Sequence, residues 1–198
     1  RGIFNREASK KQAAKNGRRD ADQDFGTNPC SEIILLDSQF CNLTEVVVRA
    51  NDSVEDLEKK VKIATILGTI QSTYTNFPYL TKDWKVNTEK ERLLGGSLTG
   101  IMDNQLTTIS NKGLAKTLEH LKNVAIATNA EWAERLNIPV SAAITCCKPS
   151  GTVSQLVDSS SGIHARHSAY YIRTVRGDTK DPMTQFMIDQ GIPNEPCV

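Results

Sequence analysis

Short β-branched runs alternate along the chain with longer stripes of apolar residues at helical spacing. Residues 44–49 are rich in β-branched side chains, which is typical of a strand. Ser53 then provides an N-cap for a helix whose apolar stripe contains Val54, Leu57, Val61, Ala64 and Leu67. A second stripe predicts a long helix over residues 111–136. Strands that alternate with helices predict an α/β architecture with largely parallel strands.

Shorter segments extend this pattern towards both ends of the chain. Residues 1–24 are polar and predict a solvated helix with an irregular end. Thr88 and Glu91 have the spacing of a capping box at the start of a helix. Asp181 and Pro182 predict the start of a last helix, with proline at its first position. Three further runs predict strands, at residues 97–101, 140–147 and 169–175.

Composition and charge exclude several classes of protein. The 198 residues carry 24 Lys and Arg against 23 Asp and Glu, a net charge of +1. This balance excludes a strongly basic nucleic-acid coat and an acidic buffer protein. No apolar run approaches the roughly 20 residues of a transmembrane helix, so we expect no membrane partner. The first residue is not Met and the last residues follow a turn-like stretch, so we expect an internal piece of a longer protein.

Five cysteines are present, an odd number, and no Cys-x-x-Cys pair occurs. This count argues against a disulfide framework and favours a reducing, cytoplasmic setting. The three histidines complete no zinc spacing with the cysteines, so no metal site is predicted. Cys146 and Cys147 fall within the predicted buried strand and are interpreted as core residues, whereas Cys197 is interpreted as incidental.

The segment Asn28-Pro29-Cys30-Ser31-Glu32 carries the most chemistry. In an extended backbone Asn28, Cys30 and Glu32 would point the same way, about 7 Å apart per pair. An amide can hold a hydroxyl, a carboxylate can take its proton, and a thiol can exchange a hydrogen atom or an electron pair. From spacing alone, an ordinary entry to a strand with a buried cysteine is the favoured interpretation of the triplet.

Four motifs, found in a fixed order along the chain, favour a chemical role for this triplet over an ordinary strand entry. After Asn28 to Glu32 come Cys41-Asn42-Leu43, then residues 91–100 (ERLLGGSLTG), and then KPSGTVS at 148–154 with SSGI at 160–163. Together they resemble the ribonucleotide reductases, most closely the adenosylcobalamin-dependent (class II) ribonucleoside-triphosphate reductases. The resemblance covers essentially the whole chain. It implies part of a ten-stranded α/β barrel, with a central finger loop at about residues 25–42, as a partial catalytic domain over residues 1–198.

The resemblance also implies roles for individual residues. Cys30 matches the cysteine that becomes a thiyl radical and removes the 3′ hydrogen of the ribose. Glu32 matches the carboxylate that takes the 3′-hydroxyl proton, and Asn28 matches the amide that holds the ribose hydroxyls. Cys41 matches one half of the dithiol that reduces the substrate. The family's other half lies well upstream, and this chain has no cysteine before Cys30.

The same resemblance implies the ligands. The substrate would be a ribonucleoside triphosphate, the cofactor adenosylcobalamin and the reductant thioredoxin or a similar dithiol. The loop after the predicted strand 140–147 is rich in hydroxyls and glycine, which suits a phosphate cradle, although it is not a Walker loop. The family match makes this loop the substrate phosphate site, formed by Pro149, Ser150, Gly151, Thr152, Val153 and Ser154.

We therefore expect Asn28, Cys30 and Glu32 to converge on one cavity with the phosphate loop at its edge, and Cys30 to lie near Cys41. Two alternatives remain open at this point. One is a ribonucleoside-diphosphate reductase or an iron-dependent large subunit. The other is a non-catalytic module whose basic front, residues 6–19, contacts RNA or DNA, although near-neutral charge and the absence of interleaved aromatic residues disfavour nucleic acid.

Overall fold

The computed structural model describes residues 3–15 and 17–197. A first compact unit ends at Arg166, and a second begins at His167. The first unit contains ten elements in chain order: α1 (Arg6–Ala14), β1 (Gly26–Thr27), β2 (Ile34–Leu35), β3 (Asn42–Val47), α2 (Val54–Gln71), α3 (Lys82–Glu91), β4 (Leu94–Thr99), a short 3₁₀ helix (Ile101–Asp103), α4 (Leu114–Arg135) and α5 (Thr152–Leu156). The second unit contains α6 (Pro182–Asp189).

Two parallel strands form the centre of the first unit. β3 and β4 pair in register from Asn42 opposite Leu94 to Val47 opposite Thr99. The chain between them includes α2 and α3, so the two strands are joined by a helical crossover, as parallel strands require. Helices α2 and α4 pack on one face of the strands, around a core of Val46, Val48, Leu57, Val61, Leu121 and Ala125. The predicted strand–helix alternation with parallel strands is confirmed here.

Residues 142–146 run along the free side of β4. The Leu94 amide donates to the Ala143 carbonyl at 2.9 Å, and the Cys146 amide donates to the Gly96 carbonyl at 2.9 Å. Thr145 forms a single parallel bridge with Gly96, so this segment is an irregular third strand. The prediction of a regular buried strand was therefore wrong. Cys146 is half-buried and Cys147 is exposed, which contradicts their interpretation as core residues.

Local signals account for most helix boundaries. Ser53 caps α2 through a capping box in which Ser53 and Asp56 each bond the other's backbone amide. Asp181 caps α6, as predicted. The predicted capping box of Thr88 and Glu91 was wrong, because both residues lie in the last turns of α3. That helix ends at Arg92, whose left-handed backbone (φ 46°) turns the chain into β4.

One further expectation was not met. Residues 169–175 form no strand, and the side chains of this segment are exposed. Within residues 3–15 and 17–197, the named strands form two two-stranded sheets and no closed barrel. No helix in the described part of the chain is long and apolar enough to cross a membrane.

Candidate functional site

The residues around Cys30 form the loop of a β-hairpin. β1 and β2 pair antiparallel, with Thr27 opposite Ile34, and residues 28–33 connect them. The Ser31 amide donates to the Asn28 carbonyl at 2.9 Å, and Ser31 adopts a left-handed conformation (φ 66°). The expected extended backbone with one shared face was wrong, because an Asn-Pro pair favours a turn at this point.

Asn28 closes this turn. The Asn28 side-chain oxygen accepts a hydrogen bond from the Ile33 backbone amide at 3.1 Å. The backbone amide of Asn28 donates to the Ile33 carbonyl at 3.3 Å. The Asn28 side chain therefore sets the shape of the loop that presents Cys30 and Glu32. Cys30 itself is exposed on this loop.

Glu32 has a different environment from Cys30. Its side chain is only 6 % exposed, and Oε1 accepts a hydrogen bond from the Lys148 ammonium at 3.0 Å. Burial raises the pKa of the Glu32 carboxyl, but the hydrogen bond and charge of Lys148 oppose this, and the net pKa lies below the usual value. The other oxygen, Oε2, is buried without a hydrogen-bond partner among the described residues. Glu32 is thus an ionised carboxylate with one buried oxygen whose hydrogen-bonding capacity is not used by the described residues.

Cys41 lies at the start of β3, against the backbone of β4. A Cβ placed on Gly95 would lie 3.0 Å from the Cys41 sulfur, so the thiol occupies space that only glycine leaves open. Burial raises the pKa of Cys41 to about 12, with the neighbouring Cys146 and Glu32 acting in the same direction. Burial and the Glu32 charge raise the pKa of Cys146 to about 11. Both thiols are therefore protonated at neutral pH.

The predicted phosphate loop is folded largely through its own hydroxyls. The Ser150 hydroxyl accepts from the Ser154 amide at 3.0 Å, and the Ser154 hydroxyl donates to the carbonyl oxygens of Ser150 and Gly151. Ser150 and Ser154 are buried, whereas Gly151, Thr152 and Val153 are exposed at the start of α5. Pro149 is exposed as well. Two of the three predicted hydroxyls thus shape the loop, and Thr152 presents its hydroxyl to solvent.

Residues 160–163, the last of the family motifs, contact this loop through Ser161 and Gly162. The Ser161 hydroxyl donates to the Ser150 carbonyl. Gly162 has a left-handed backbone (φ +51°), and a Cβ there would lie 3.0 Å from the Lys148 carbonyl oxygen. The Thr99 hydroxyl, at the end of β4, donates to the Ser160 carbonyl at 3.1 Å. The loop is therefore attached to the C-terminal end of a parallel strand, the usual position of ligand sites in α/β folds.

A buried ion pair links the segments on either side of the hairpin to the end of α3. Arg19 donates to both carboxylate oxygens of Glu91 at 2.9 and 2.8 Å, and both side chains are 5 % exposed. Gln39 donates to the same carboxylate at 2.7 Å and accepts from the Leu36 amide at 2.9 Å. This network joins the segment before β1, the segment after β2 and the end of α3.

The predicted residues come together only in part. Glu32 contacts the phosphate loop through Lys148. Cys41 lies close enough to Glu32 and Lys148 for the charges of these two groups to affect its pKa. A cavity of about 380 Å³ lies between β4, α2 and α4, but Asn28, Cys30, Glu32 and Cys41 do not line it. The expected convergence of the finger loop on this cavity is therefore not seen. Lys148 belongs to the predicted phosphate loop, but the sequence did not indicate its contact with Glu32.

Comparisons with known proteins identify the segment. The chain is 30 % identical over 201 residues to an adenosylcobalamin-dependent ribonucleoside-triphosphate reductase of Lactobacillus gasseri, an alignment that covers 87 % of this chain. It is also 30 % identical to the enzyme of the same name from Euglena gracilis, with 98 % of this chain covered. The chain is a homologue of these reductases. It spans about a quarter of their length, 26 % in both cases.

A solved structure agrees with this homology. The fold matches the crystal structure of a B12-dependent (class II) ribonucleotide reductase with a TM-score of 0.61 and 26 % sequence identity. The match covers 73 % of this chain and 23 % of the reductase chain. No protein-family model matches the sequence. The chain therefore has a fold of the ribonucleotide reductase type over the matched part.

Proposed function

We propose that this chain is part of the catalytic barrel of a longer enzyme that reduces ribonucleoside triphosphates to deoxyribonucleotides, with adenosylcobalamin as cofactor. In that barrel, residues 25–42 would form the finger loop and residues 148–154 would contact the substrate phosphates. The names of the relatives favour a triphosphate over the alternative of a diphosphate substrate. The observation that carries the proposal is Glu32, a buried carboxylate whose Oε2 has no partner among the described residues, on the same hairpin loop as an exposed thiol.

Each side chain has a task that suits its environment. Glu32 Oε2 would accept the proton of a ribose hydroxyl, a general-base role for which the lowered pKa of Glu32 keeps the carboxylate unprotonated at neutral pH. Asn28, which shapes the loop, would hold the ribose hydroxyls once the substrate is bound. Thr152 and the exposed backbone of residues 151–153 would face the phosphates.

The exposed position of Cys30 fits a cofactor that must approach its sulfur. Bound adenosylcobalamin would supply the radical chemistry that removes a hydrogen atom from the Cys30 thiol. The protein's own contribution is to present that thiol on the same hairpin loop as the Glu32 carboxylate. Because Cys30 is exposed in this chain, other parts of the complete enzyme would have to exclude water from the site.

The electrons would come from a dithiol that includes Cys41. Two thiols become a disulfide, and the two electrons and two protons released convert the 2′-hydroxyl into water and a C–H bond. The second thiol would come from a part of the enzyme outside this chain, as the resemblance implies. Thioredoxin or a similar dithiol would then reduce the disulfide. At neutral pH Cys41 is a protonated thiol, the form that carries the hydrogen for this step.

The rival interpretation, a nucleic-acid module, finds little support in the basic front of the chain. Arg6 and Lys10 pair with Asp24 and Asp22, and Arg19 is buried against Glu91. Cations that are paired in this way contribute less to a phosphate-binding face. A salt titration of nucleic-acid binding separates the two: a steep salt dependence supports the module, and no binding supports the reductase.

The proposed activity is tested in the complete enzyme that carries this segment. Anaerobic deoxynucleotide formation from a ribonucleoside triphosphate should require adenosylcobalamin and a dithiol. Cys30→Ser should abolish it while nucleotide binding, measured by calorimetry, stays within about twofold, since a serine O–H bond is too strong to exchange its hydrogen reversibly. Turnover by the serine variant would contradict the assignment of Cys30.

A further inference from the structure

Lys148 connects the two segments that carry the proposed chemistry. Its ammonium donates to Glu32 Oε1 at 3.0 Å, across 116 positions of sequence. The two side chains are 24 % and 6 % exposed, so this ion pair is largely shielded from solvent. Shielded pairs with a direct hydrogen bond are stronger and more specific in geometry than exposed ones.

The backbone that carries Lys148 is held firmly. The carbonyl of Lys148 packs under Gly162, where a Cβ would approach to 3.0 Å. The next residues are tied to the same segment by the bond from Ser161 to the Ser150 carbonyl. Thr99 attaches this segment to the end of β4. The ammonium therefore extends from a fixed point at the sheet edge towards a hairpin loop that turns around Asn28.

The other titratable groups near Glu32 cannot replace this contact. Cys41 and Cys146 feel the Glu32 charge, and both are neutral thiols at pH 7. Cys30 lies near enough to Lys148 that a negative charge on the Cys30 sulfur would raise the pKa of the ammonium. The hydrogen bond with Glu32 raises the pKa of Lys148, so its positive charge persists across the working pH range. Lys148 is thus the cation that balances the Glu32 carboxylate among the groups that face it.

We propose that Lys148 is a positioning residue of the reductase site: it fixes Oε1 of Glu32, leaves Oε2 free for the ribose hydroxyl, and ties the hairpin loop to the phosphate loop. This assignment rests on the proposed function for its role in turnover. The contact itself is a property of the 198-residue chain. A substrate that occupies the phosphate loop would therefore meet a carboxylate whose orientation is already set.

The first test uses the purified chain with ¹³C-labelled glutamate, with the Glu32 carboxyl resonance assigned through Glu32→Gln. Lys148→Met should raise the pKa of Glu32, because the cation that favours the charged carboxylate is gone. Lys148→Arg should restore a pKa close to that of the wild type. Arg135→Met removes an exposed ion pair with Glu131 and is the matched control, which should leave Glu32 unchanged. An unchanged Glu32 pKa in Lys148→Met would overturn the proposal.

A reciprocal measurement covers the case in which Lys148→Met does not fold. Glu32→Gln should lower the pKa of Lys148, followed through the ¹³C resonance of its side chain, because coupling between two sites acts equally in both directions. No change in Lys148 would contradict the pair as firmly as no change in Glu32.

The second test uses the complete enzyme. Lys148→Met should shift the acid limb of the kcat/KM profile to higher pH and reduce kcat/KM about tenfold or more below that limb, with partial recovery as pH rises. Lys148→Arg should keep the wild-type limb. A uniform loss at every pH would contradict positioning through Glu32. If the wild-type enzyme makes no deoxynucleotide but the resonances still shift, the proposed function fails and the Lys148–Glu32 assignment stands.

Discussion

At the scale of single residues, burial determines what each group near the hairpin can do. Cys30 is exposed, Glu32 is buried against an ammonium, and Cys41 is half-buried against the glycine backbone of β4. The same loop therefore presents an exposed thiol to the outside and a shielded carboxylate to the inside. This division follows from the turn at Asn28, because an extended strand would have placed both groups on one face.

The buried thiols make stability depend on pH in the alkaline range. Their ordinary pKa of 9.0 rises to about 12 for Cys41 and about 11 for Cys146. Above pH 9 the unfolded chain loses these protons while the folded chain keeps them. The free energy of unfolding should therefore fall as pH rises from about 9 towards 12, by up to about 1.4 kcal/mol per pH unit for each thiol.

Urea denaturation at pH 8, 9 and 10 measures this slope. Cys41→Ala should flatten it, whatever the substitution does to stability at pH 8. Cys147→Ala is the matched control, because Cys147 is exposed and should keep the wild-type slope. Identical slopes in wild type and Cys41→Ala would contradict the burial of this thiol.

The sequence indicated Asn28, Cys30, Glu32 and Cys41 as candidates, but it gave no sign of Lys148 as their contact. The reason is physical: residue type and spacing report chemistry within one segment, whereas the Glu32–Lys148 contact depends on how two distant segments pack. A similar limit affected Ser150 and Ser154. Their hydroxyls suggested a ligand site, yet both are used to fold the loop.

At the scale of elements, the buried Arg19–Glu91 pair joins three segments around the hairpin. Glu91→Gln should lower the free energy of unfolding by about 3 kcal/mol or more, because it leaves the Arg19 charge buried without its partner. Glu131→Gln in the exposed pair with Arg135 is the control, and it should change stability by about 0.5 kcal/mol or less. Chemical denaturation measures both. Equal effects of the two substitutions would show that the buried pair does not hold the hairpin flank.

The elements themselves were predictable to different degrees. The stripes of α2 and α4 and the caps at Ser53 and Asp181 are local signals, and the structure confirms them. Thr88 and Glu91 have the spacing of an N-terminal capping box, but they lie in the last turns of α3. The spacing of two residues alone does not show whether they stand at the start or near the end of a helix. Residues 169–175 are β-branched in part, but without a neighbouring strand they do not form one.

At the scale of the whole molecule, the chain is a quarter-length homologue of the reductases. Its described strands form an open parallel pair with an irregular third strand, and the candidate residues lie at the edge of this sheet. The α/β class could be predicted from the sequence, because it depends on alternation along the chain.

The purified 198-residue chain should therefore form no deoxynucleotide, even with adenosylcobalamin, a dithiol and a ribonucleoside triphosphate. Cys30 is exposed, so water reaches the site, and no cysteine precedes it to complete the dithiol with Cys41. An anaerobic turnover assay measures this. Sustained turnover that is lost in Cys30→Ser would show that the chain is a self-sufficient enzyme.

The central claim is that Cys30 and Cys41 perform successive and separate steps. The most direct measurement is the release of tritium from a 3′-tritiated ribonucleoside triphosphate by the complete enzyme, alongside deoxynucleotide formation. We expect Cys41→Ser to release tritium but to form no normal deoxynucleotide, because hydrogen abstraction precedes reduction. Cys30→Ser should do neither. Tritium release by Cys30→Ser, or normal turnover by Cys41→Ser with a dithiol reductant, would contradict the account.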